Sequence, residues 1–390
     1  MAAPMIAHFV ALMLIVVTCA VPLQGQDSPL PKSMTPTRLY IGTLDDGDSQ
    51  GIYQGEIDLQ TGNLQLHGLA AEAKNATFLA IHPSGKYLYA TCEVDEYTAS
   101  KAGAVAAFKI NTLTGKLTFL NYQSSAGAVP CHVSLDGEGK FALVANYLGG
   151  NVAVLPINAD GLLGLATSTV QHQGSSVHKV RQERPHPHSI NLDCANRFAF
   201  VADAGTDEVL VYRFDSAAGT LTPNDPPALK TAPGDAPRHL AFHPNANWVY
   251  VINELSSTIA ALRFDRERGA LEAMQTVSTL PHGGSVENLT AEIIVHPNGR
   301  FLYGSNRGHD SIAIFAINQT TGKLMPLGQH PAGGRTPRNF SIDPTGKFLL
   351  TANQDAKSIV VHRIDPETGL LARTAHEINV PTPVCIKFVP

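Results

Sequence analysis

The sequence predicts an all-β chain folded as a seven-bladed β-propeller, and three observations predict it. An aromatic-led strand start recurs as Tyr87, Phe141, Phe198, Trp248, Phe301 and Phe348, at gaps of 54, 57, 50, 53 and 47 residues. A Thr-Gly hairpin recurs with it, as TGNL at Thr61, TGKL at Thr114 and Thr321, and TGLL at Thr368. The last segment, PVCIKFVP, reads as the first strand of a repeat that then stops, while the first copy, RLYIGT at Leu39, begins with the second strand. A period of ~50 residues with four short strands per unit is the mark of a propeller. A stacked solenoid is the competitor, but it needs polar caps at both ends. Here the C-terminal strand completes the N-terminal blade, which leaves no free edge across the ring.

The segment VHPNGRFLYGSNRGHDSIAIFAINQTTGKLMPL shows one whole unit. Strand A is apolar and ends in His or Asp. A Pro/Gly turn leads to strand B, which starts aromatic and ends in Asn. A polar turn, an alternating strand C and the hairpin into strand D follow. The composition agrees: 33 Gly and 26 Pro supply many turns, and 44% hydrophobic residues supply a large core. Length alone suggests two or three domains, but all-β folds can exceed that prior as one unit.

The N-terminus reads as an export signal. Residues 6–17 are almost wholly apolar, which suits a signal core better than a spanning helix. VVTC, ending at Cys19, loosely resembles a lipoprotein cleavage box, so a lipid anchor stands beside free secretion as an expectation. The expected divisions are a signal peptide or lipoprotein leader over 1–26, a linker over 27–36 and the propeller over 37–390. The product is expected to be secreted or periplasmic and monomeric, with no membrane span in the mature chain. Net charge is −5 with no basic run, which excludes a nucleic-acid partner. The Cys residues, Cys19, Cys92, Cys131, Cys194 and Cys385, form no CxxC pair, and those beyond the leader are expected to be mostly buried strand thiols.

Aligning the repeats on their aromatic anchors gives columns. The start of strand A holds Thr77, Cys131, His188, Arg238, Ala291 and Arg338, and the next position holds Phe78, His132, Ser189, His239, Glu292 and Asn339. The end of strand B holds Glu93, Tyr147, Ala204, Glu254, Arg307 and Gln354, with Asp45 from the first blade. Antiparallel neighbours place the start of A and the end of B at one end of the sheet. Strand A lines the channel, so these columns converge on one mouth. The mouth therefore gathers His132, His188, Arg238, His239, Glu254, Glu292, Arg307 and Arg338. Arg181 and Gln182, in a long preceding loop, either reach over it or are solvated.

Two other columns read as structural. Asn146, Asp203, Asn253, Asn306 and Asn353 suit caps of the B–C turn. His82, Asp136, Asp193, His243, His296 and Asp343 precede Pro/Gly turns at the opposite end of strand A and suit turn stabilisation. His186 and His188 could pair on a metal, but Pro187 between them and the lack of a third ligand at familiar spacing argue for none. A purely structural reading of the mouth has Arg238 and Arg307 pairing with Glu254 and Glu292 to cross-link blades.

The mouth suggests chemistry. Arg presents a fork for carboxylate or phosphate. A nearby His or Glu supplies an acid or base near neutral pH. Arg also stabilises charge developing on an ester oxygen. Together these suit water attack on a small anionic lactone, or ring closure of a carboxylate. A GDSQG string at Gly47–Gly51 matches G-x-S-x-G, but no helix-period stretch follows it to form a nucleophile elbow, and no Gly-rich phosphate loop occurs.

The segments RQERPHPHSINLD, PRHLAFHPNANWVYVINELSSTIAAL, AEIIVHPNGRFLYGSNRGHDSIAIF and PRNFSIDPTGKFLLTANQ resemble the lactonase propeller family across residues 38–390. That family includes the propeller-type 6-phosphogluconolactonase and the carboxymuconate lactonizing enzyme. The resemblance implies a seven-bladed propeller, a lactone hydrolase and no metal or organic cofactor. It implies catalytic roles for His188, Arg238, Glu254 and Arg307. His132, His186, His239, Glu292, Arg338 and Arg181 are the expected substrate-binding residues. A carboxymuconate cyclase-like cycloisomerase and a non-catalytic secreted propeller that binds a partner are the alternatives.

Overall fold

The computed structural model describes residues 1–2, 36–94, 102–281 and 286–390. The expected leader beyond residues 1–2, and all of the linker but Pro36, lie outside the described residues. Seven four-stranded sheets form, and in six of them the strands follow chain order from inner to outer edge. The other sheet is closed by the C-terminus. Pro383–Phe388 is its inner strand and runs antiparallel to Thr37–Thr43, with Leu39 opposite Phe388 and Ile41 opposite Ile386. Each inner strand touches the inner strands of both neighbouring blades, from Ala76–Ile81 round to Pro383–Phe388. The ring is complete, as the terminal segments predicted.

The two repeated sequence signals are the halves of one contact. Trp248 opens strand B of the fifth blade (Trp248–Asn253), and the hairpin glycine Gly322 of the sixth blade lies on its indole. A Cβ on Gly322 would sit 2.5 Å from the ring, and its φ of 71° is left-handed, so glycine is required twice over. Tyr250, two residues along, donates its hydroxyl to the Gly322 carbonyl at 2.9 Å. Phe198 with Gly269 and Phe301 with Gly369 repeat the packing. The anchors and the hairpins share a period because each hairpin seats on the preceding blade.

The core lies between sheets. Phe200, Val209 and Val211 of the fourth blade pack with Val249, Val251 and Leu262 of the fifth. Tyr250 and Ile252 then meet Leu302 and Phe315 of the sixth. Strand B is buried along its whole length in blades four and five, because both its faces meet neighbouring sheets. The outer strand Leu371–Asn379 alternates toward solvent. Burying apolar area between blades at ~25 cal/mol per Å² is the main term holding the ring.

The structural columns do more than close turns. Asp136, Asp193 and Asp343 accept the backbone N–H of Phe141, Phe198 and Phe348, within their own blades. His82, His243 and His296 instead reach the carbonyls of Gly139, Gly299 and Gly346 in the next blade. Of the Asn column, Asn253 and Asn306 cross the B–C turn to Thr258 and Ser311. Asn146 and Asn353 tie back to the Ser125 and Ala332 carbonyls, and Asn306 also to the Thr279 carbonyl, because the end of strand B lies beside the connection from the preceding blade's strand D to its own strand A. Cys92, Cys131 and Cys385 are buried free thiols, while Cys194, in a turn, is exposed.

Candidate active site

The site is built by a bulge at the entry of strand A. The register shifts between Pro130 and His132, Pro187 and Ser189, Pro237 and His239, and Pro337 and Asn339. A bulge sets two residues against one and re-aims a side chain. Both alignment columns therefore reach the channel rather than one. Val129, Ala236 and Thr336, each just before a proline, hold left-handed φ values of 55°, 56° and 59°. Non-glycine residues there carry strain of about 1–3 kcal/mol each. Their carbonyls accept the N–H of Tyr147, Glu254 and Gln354. The end of strand B is thereby pinned to the start of strand A, which sets Glu254 beside Arg238.

Glu254 is buried under three guanidinium groups. Arg238 Nε lies 3.0 Å from one carboxylate oxygen, and Arg307 Nη2 lies 3.3 Å from the other. Arg181 Nη2 donates to that second oxygen at 2.5 Å. Arg238 and Arg307 also donate to the Ala291 and Thr290 carbonyls in the sixth blade, at 2.6 and 2.8 Å. Burial would raise the Glu254 carboxyl, but Arg307, Arg238 and Arg181 outweigh it and hold it at about 2. Burial depresses Arg307 to about 9; Glu254 opposes the shift, and Arg238 and Arg338 add to it. A crowded cation of this kind gains from a further anion.

A cavity of about 250 Å³ opens over this network, bordered by Arg181, Glu254, Arg307, Arg338, His188 and Tyr147. Arg338 makes no side-chain hydrogen bond or ion pair among the described residues, so its fork is uncommitted. His188 is buried, and burial, Arg238, His239 and Arg338 keep its imidazole well below the usual range, hence neutral at pH 7. Its Nδ1 is 3.8 Å from Cys131 Sγ. His186 stands behind the cavity wall. Its ring stacks on Tyr147 at 4.5 Å, and its nitrogens face the Tyr147 carbonyl and Glu183. The two histidines around Pro187 thus have different surroundings. Among the described residues no His, Cys, Asp and Glu group suits a metal ion.

The remaining expected residues lie one layer deeper. A second cavity of about 170 Å³ is bordered by His132, His239, Glu292 and Lys387. Between the two the channel narrows to a space of about 10 Å³ beside His188, His239, Arg238 and Arg338. The His132 ring packs against Phe78, with centroids 4.4 Å apart and the planes tilted by 35°. Glu292 pairs with His239 at 2.9 Å, not with Arg238 or Arg307 as the blade cross-link reading had it. The second alignment column is one residue further along strand A, so it faces the channel below the first.

A family model described as a lactonase, 7-bladed β-propeller, matches residues 38–388. The chain belongs to this family. A 6-phosphogluconolactonase of Bacillus subtilis (strain 168) is 38% identical over 350 residues, covering 90% of this chain and 97% of that protein. A putative 6-phosphogluconolactonase from Bacteroides fragilis has a solved structure that superposes with a TM-score of 0.86 at 34% identity, covering 93% of this chain and 100% of that one. A periplasmic gluconolactonase of Pseudomonas aeruginosa superposes at 0.85 with 30% identity, covering 91% and 99%. The chain is a lactonase-type hydrolase of the propeller class.

For this lactonase fold, sequence reasoning passed over two contributors. Glu93 and Tyr147 stand in the strand B column, and both border the mouth cavity. Their signal was the column itself, which holds both beside Glu254 and Arg307. Gln182 neither covers the mouth nor meets solvent. It is buried and donates to Ala204 O and Asp207 Oδ1, and Asp207 also accepts the Ala236 N–H. That staple sets the loop carrying Arg181 against the strand carrying Arg238. Asp45 is exposed and caps its own turn by accepting the Gly47 N–H, away from the cavity.

Proposed function

We propose that this chain opens a small anionic or sugar-derived lactone by water attack in the mouth cavity, acting as a monomer. The observation that carries the reading is the charge count. Four guanidinium groups, Arg181, Arg238, Arg307 and Arg338, face two carboxylates, Glu93 and Glu254, around connected cavities. Glu254 already neutralises part of that charge and fixes three of the forks. The surplus, with Arg338 uncommitted, favours a ligand bearing carboxylate, phosphate or developing alkoxide charge.

The roles follow from the environments. Arg307 and Arg238 stabilise the oxyanion that forms when the lactone carbonyl is attacked, since buried, pre-set donors cost no reorganisation at that moment. Glu254, held ionised at about 2, is too weak a base at pH 7 and serves to aim the guanidinium groups. His188, uncharged, offers a hydrogen bond at the reacting oxygen without competing for the anion.

We further propose that residues 1–26 export the chain, with or without a lipid anchor, so that the substrate is met outside the cytoplasm. Support comes from the apolar leader and from the likeness to a periplasmic gluconolactonase. No helix among the described residues is long and apolar enough to cross a membrane.

The test is a lactone panel with purified protein: gluconolactone, 6-phosphogluconolactone and a neutral lactone without hydroxyls. Turnover of the first two and its loss in Arg307→Ala and Glu254→Gln are expected. Equal rates in folded variants and unmodified protein defeat the assignment. Loss of diene absorbance from a carboxymuconate, with no lactone hydrolysis, would instead point to the cycloisomerase.

A further inference from the structure

His239 and Glu292 form a buried pair at the floor of the mouth, apart from the Glu254 network. His239 Nδ1 lies 2.9 Å from Glu292 Oε1, which also accepts the Ile293 N–H at 3.0 Å. Glu292 Oε2 accepts from Asn339 Nδ2 at 2.5 Å, and the Asn339 amide is oriented because its oxygen accepts the Ile386 N–H. Burial would raise the Glu292 carboxyl, yet His239, Lys387 and these donors keep it below its ordinary range. Glu292 is therefore ionised at pH 7 and can only accept. The shared proton must sit on His239 Nδ1, and the lone pair on Nε2.

That Nε2 atom is buried and has no hydrogen-bond partner among the described residues. A buried nitrogen left so costs about 1–3 kcal/mol. His239 borders the narrow space of about 10 Å³ between the two cavities. Its size is about that of a single water. The substrate-facing His188 is its neighbour, with ring centroids 5.3 Å apart. His188 Nδ1 lies 3.8 Å from the Cys131 thiol, whereas the His239 cation would rest on a carboxylate.

We propose that His239 is a further catalytic residue, which holds a water in the narrows and deprotonates it, with Glu292 as its positioning residue. The proposal rests on the lactone-hydrolase reading. A water O–H bond breaks and its proton goes to His239 Nε2. The oxygen forms a bond to the lactone carbonyl carbon. The resulting oxyanion collapses, the ring C–O bond breaks, and His239 returns the proton to the leaving alkoxide. One water is added and the pair is restored.

The experiment measures steady-state kinetics on gluconolactone and 6-phosphogluconolactone for His239→Asn, Glu292→Gln, Glu292→Asp and Arg307→Ala, with thermal unfolding of each. In His239→Asn and Glu292→Gln, kcat is expected to fall by ~10²-fold or more with KM nearly unchanged. The Gln amide can donate to Nδ1 and so turn the lone pair away from the narrows, while Glu292→Asp restores part of the rate. Glu292, Arg238, Lys387, His132 and His188 face His239, and Arg338 and Glu93 share the narrows. The fall in kcat/KM on acidification, as His239 gains a proton, should vanish in His239→Asn. If Glu292→Gln fails to fold, Asn339→Ala, which loosens the same carboxylate, should still lower kcat several-fold. Unchanged kcat in folded His239→Asn, with activity lost in Arg307→Ala, overturns the His239 role and leaves the lactonase reading standing. Absence of turnover by the unmodified protein overturns both.

Discussion

Arg181 Nη2 donates to Glu254 Oε1 at 2.5 Å across 73 residues of chain. The contact brings a loop guanidinium onto a carboxylate already held by two strand guanidinium groups. Arg181 is about one-third exposed, whereas Glu254 and Arg238 are almost wholly buried. The loop that carries it is stapled separately, through Gln182 and Asp207.

Arg181→Ala should therefore change binding more than folding. Arg181 is the part-exposed partner and Glu254 keeps Arg238 and Arg307, so the contact contributes ~1 kcal/mol or less to stability. If Arg181 also meets the anionic part of the substrate, KM rises ~10-fold and kcat changes little, the pattern of lost uniform binding. Initial rates over a range of lactone concentrations check this.

Glu254→Gln removes the anion beneath Arg238 and Arg307. Breaking a buried pair by deleting one partner costs about 3–5 kcal/mol, because the other charge stays buried and unpaired. Urea unfolding should show that loss, and added phosphate or a sugar acid should recover part of it by occupying the cations.

The same carboxylate sets an acid limb of stability. Its folded pKa of about 2 lies below the ordinary 4.5, so its contribution is complete above about 4.5 and is lost as pH falls toward 2. Calorimetry between pH 5 and pH 2 should show Tm dropping more steeply in the unmodified protein than in Glu254→Gln. Parallel curves would mean that Glu254 does not feel its three cations.

Among the described residues Arg338 has no side-chain partner to lose. Arg338→Ala is expected to leave stability within ~0.5 kcal/mol. It should reduce the preference for 6-phosphogluconolactone over gluconolactone. Comparing kcat/KM for the two lactones in both proteins measures this.

Gly322→Ala tests the blade contact. The added Cβ would meet the Trp248 indole at 2.5 Å while the backbone keeps a φ of 71°. Overpacking alone costs ~1–3 kcal/mol, and the left-handed φ adds to it. A clear drop in Tm with unchanged KM is expected.

The sequence by itself determined the ring. Blade count, strand order and closure by PVCIKFVP are local and periodic, so they survive in one dimension as the spacing of Tyr87, Phe141 and their successors. It also named the mouth, because the antiparallel pairing of strands A and B dictates which column ends meet. Depth and partnership were decided only by the tertiary structure. The bulges at strand A turned one ring of residues into two layers, which put His239 and Glu292 below Arg238 rather than beside it. A bulge depends on the backbone conformation of residues such as Ala236, and side-chain identity does not encode it. Arg181 reached Glu254, and His186 went behind Tyr147, through a loop without a repeat to align. The choice of Glu254 over Glu292 as the anion for three arginines is likewise a matter of distance: a propeller's symmetry offers both, and packing selects one.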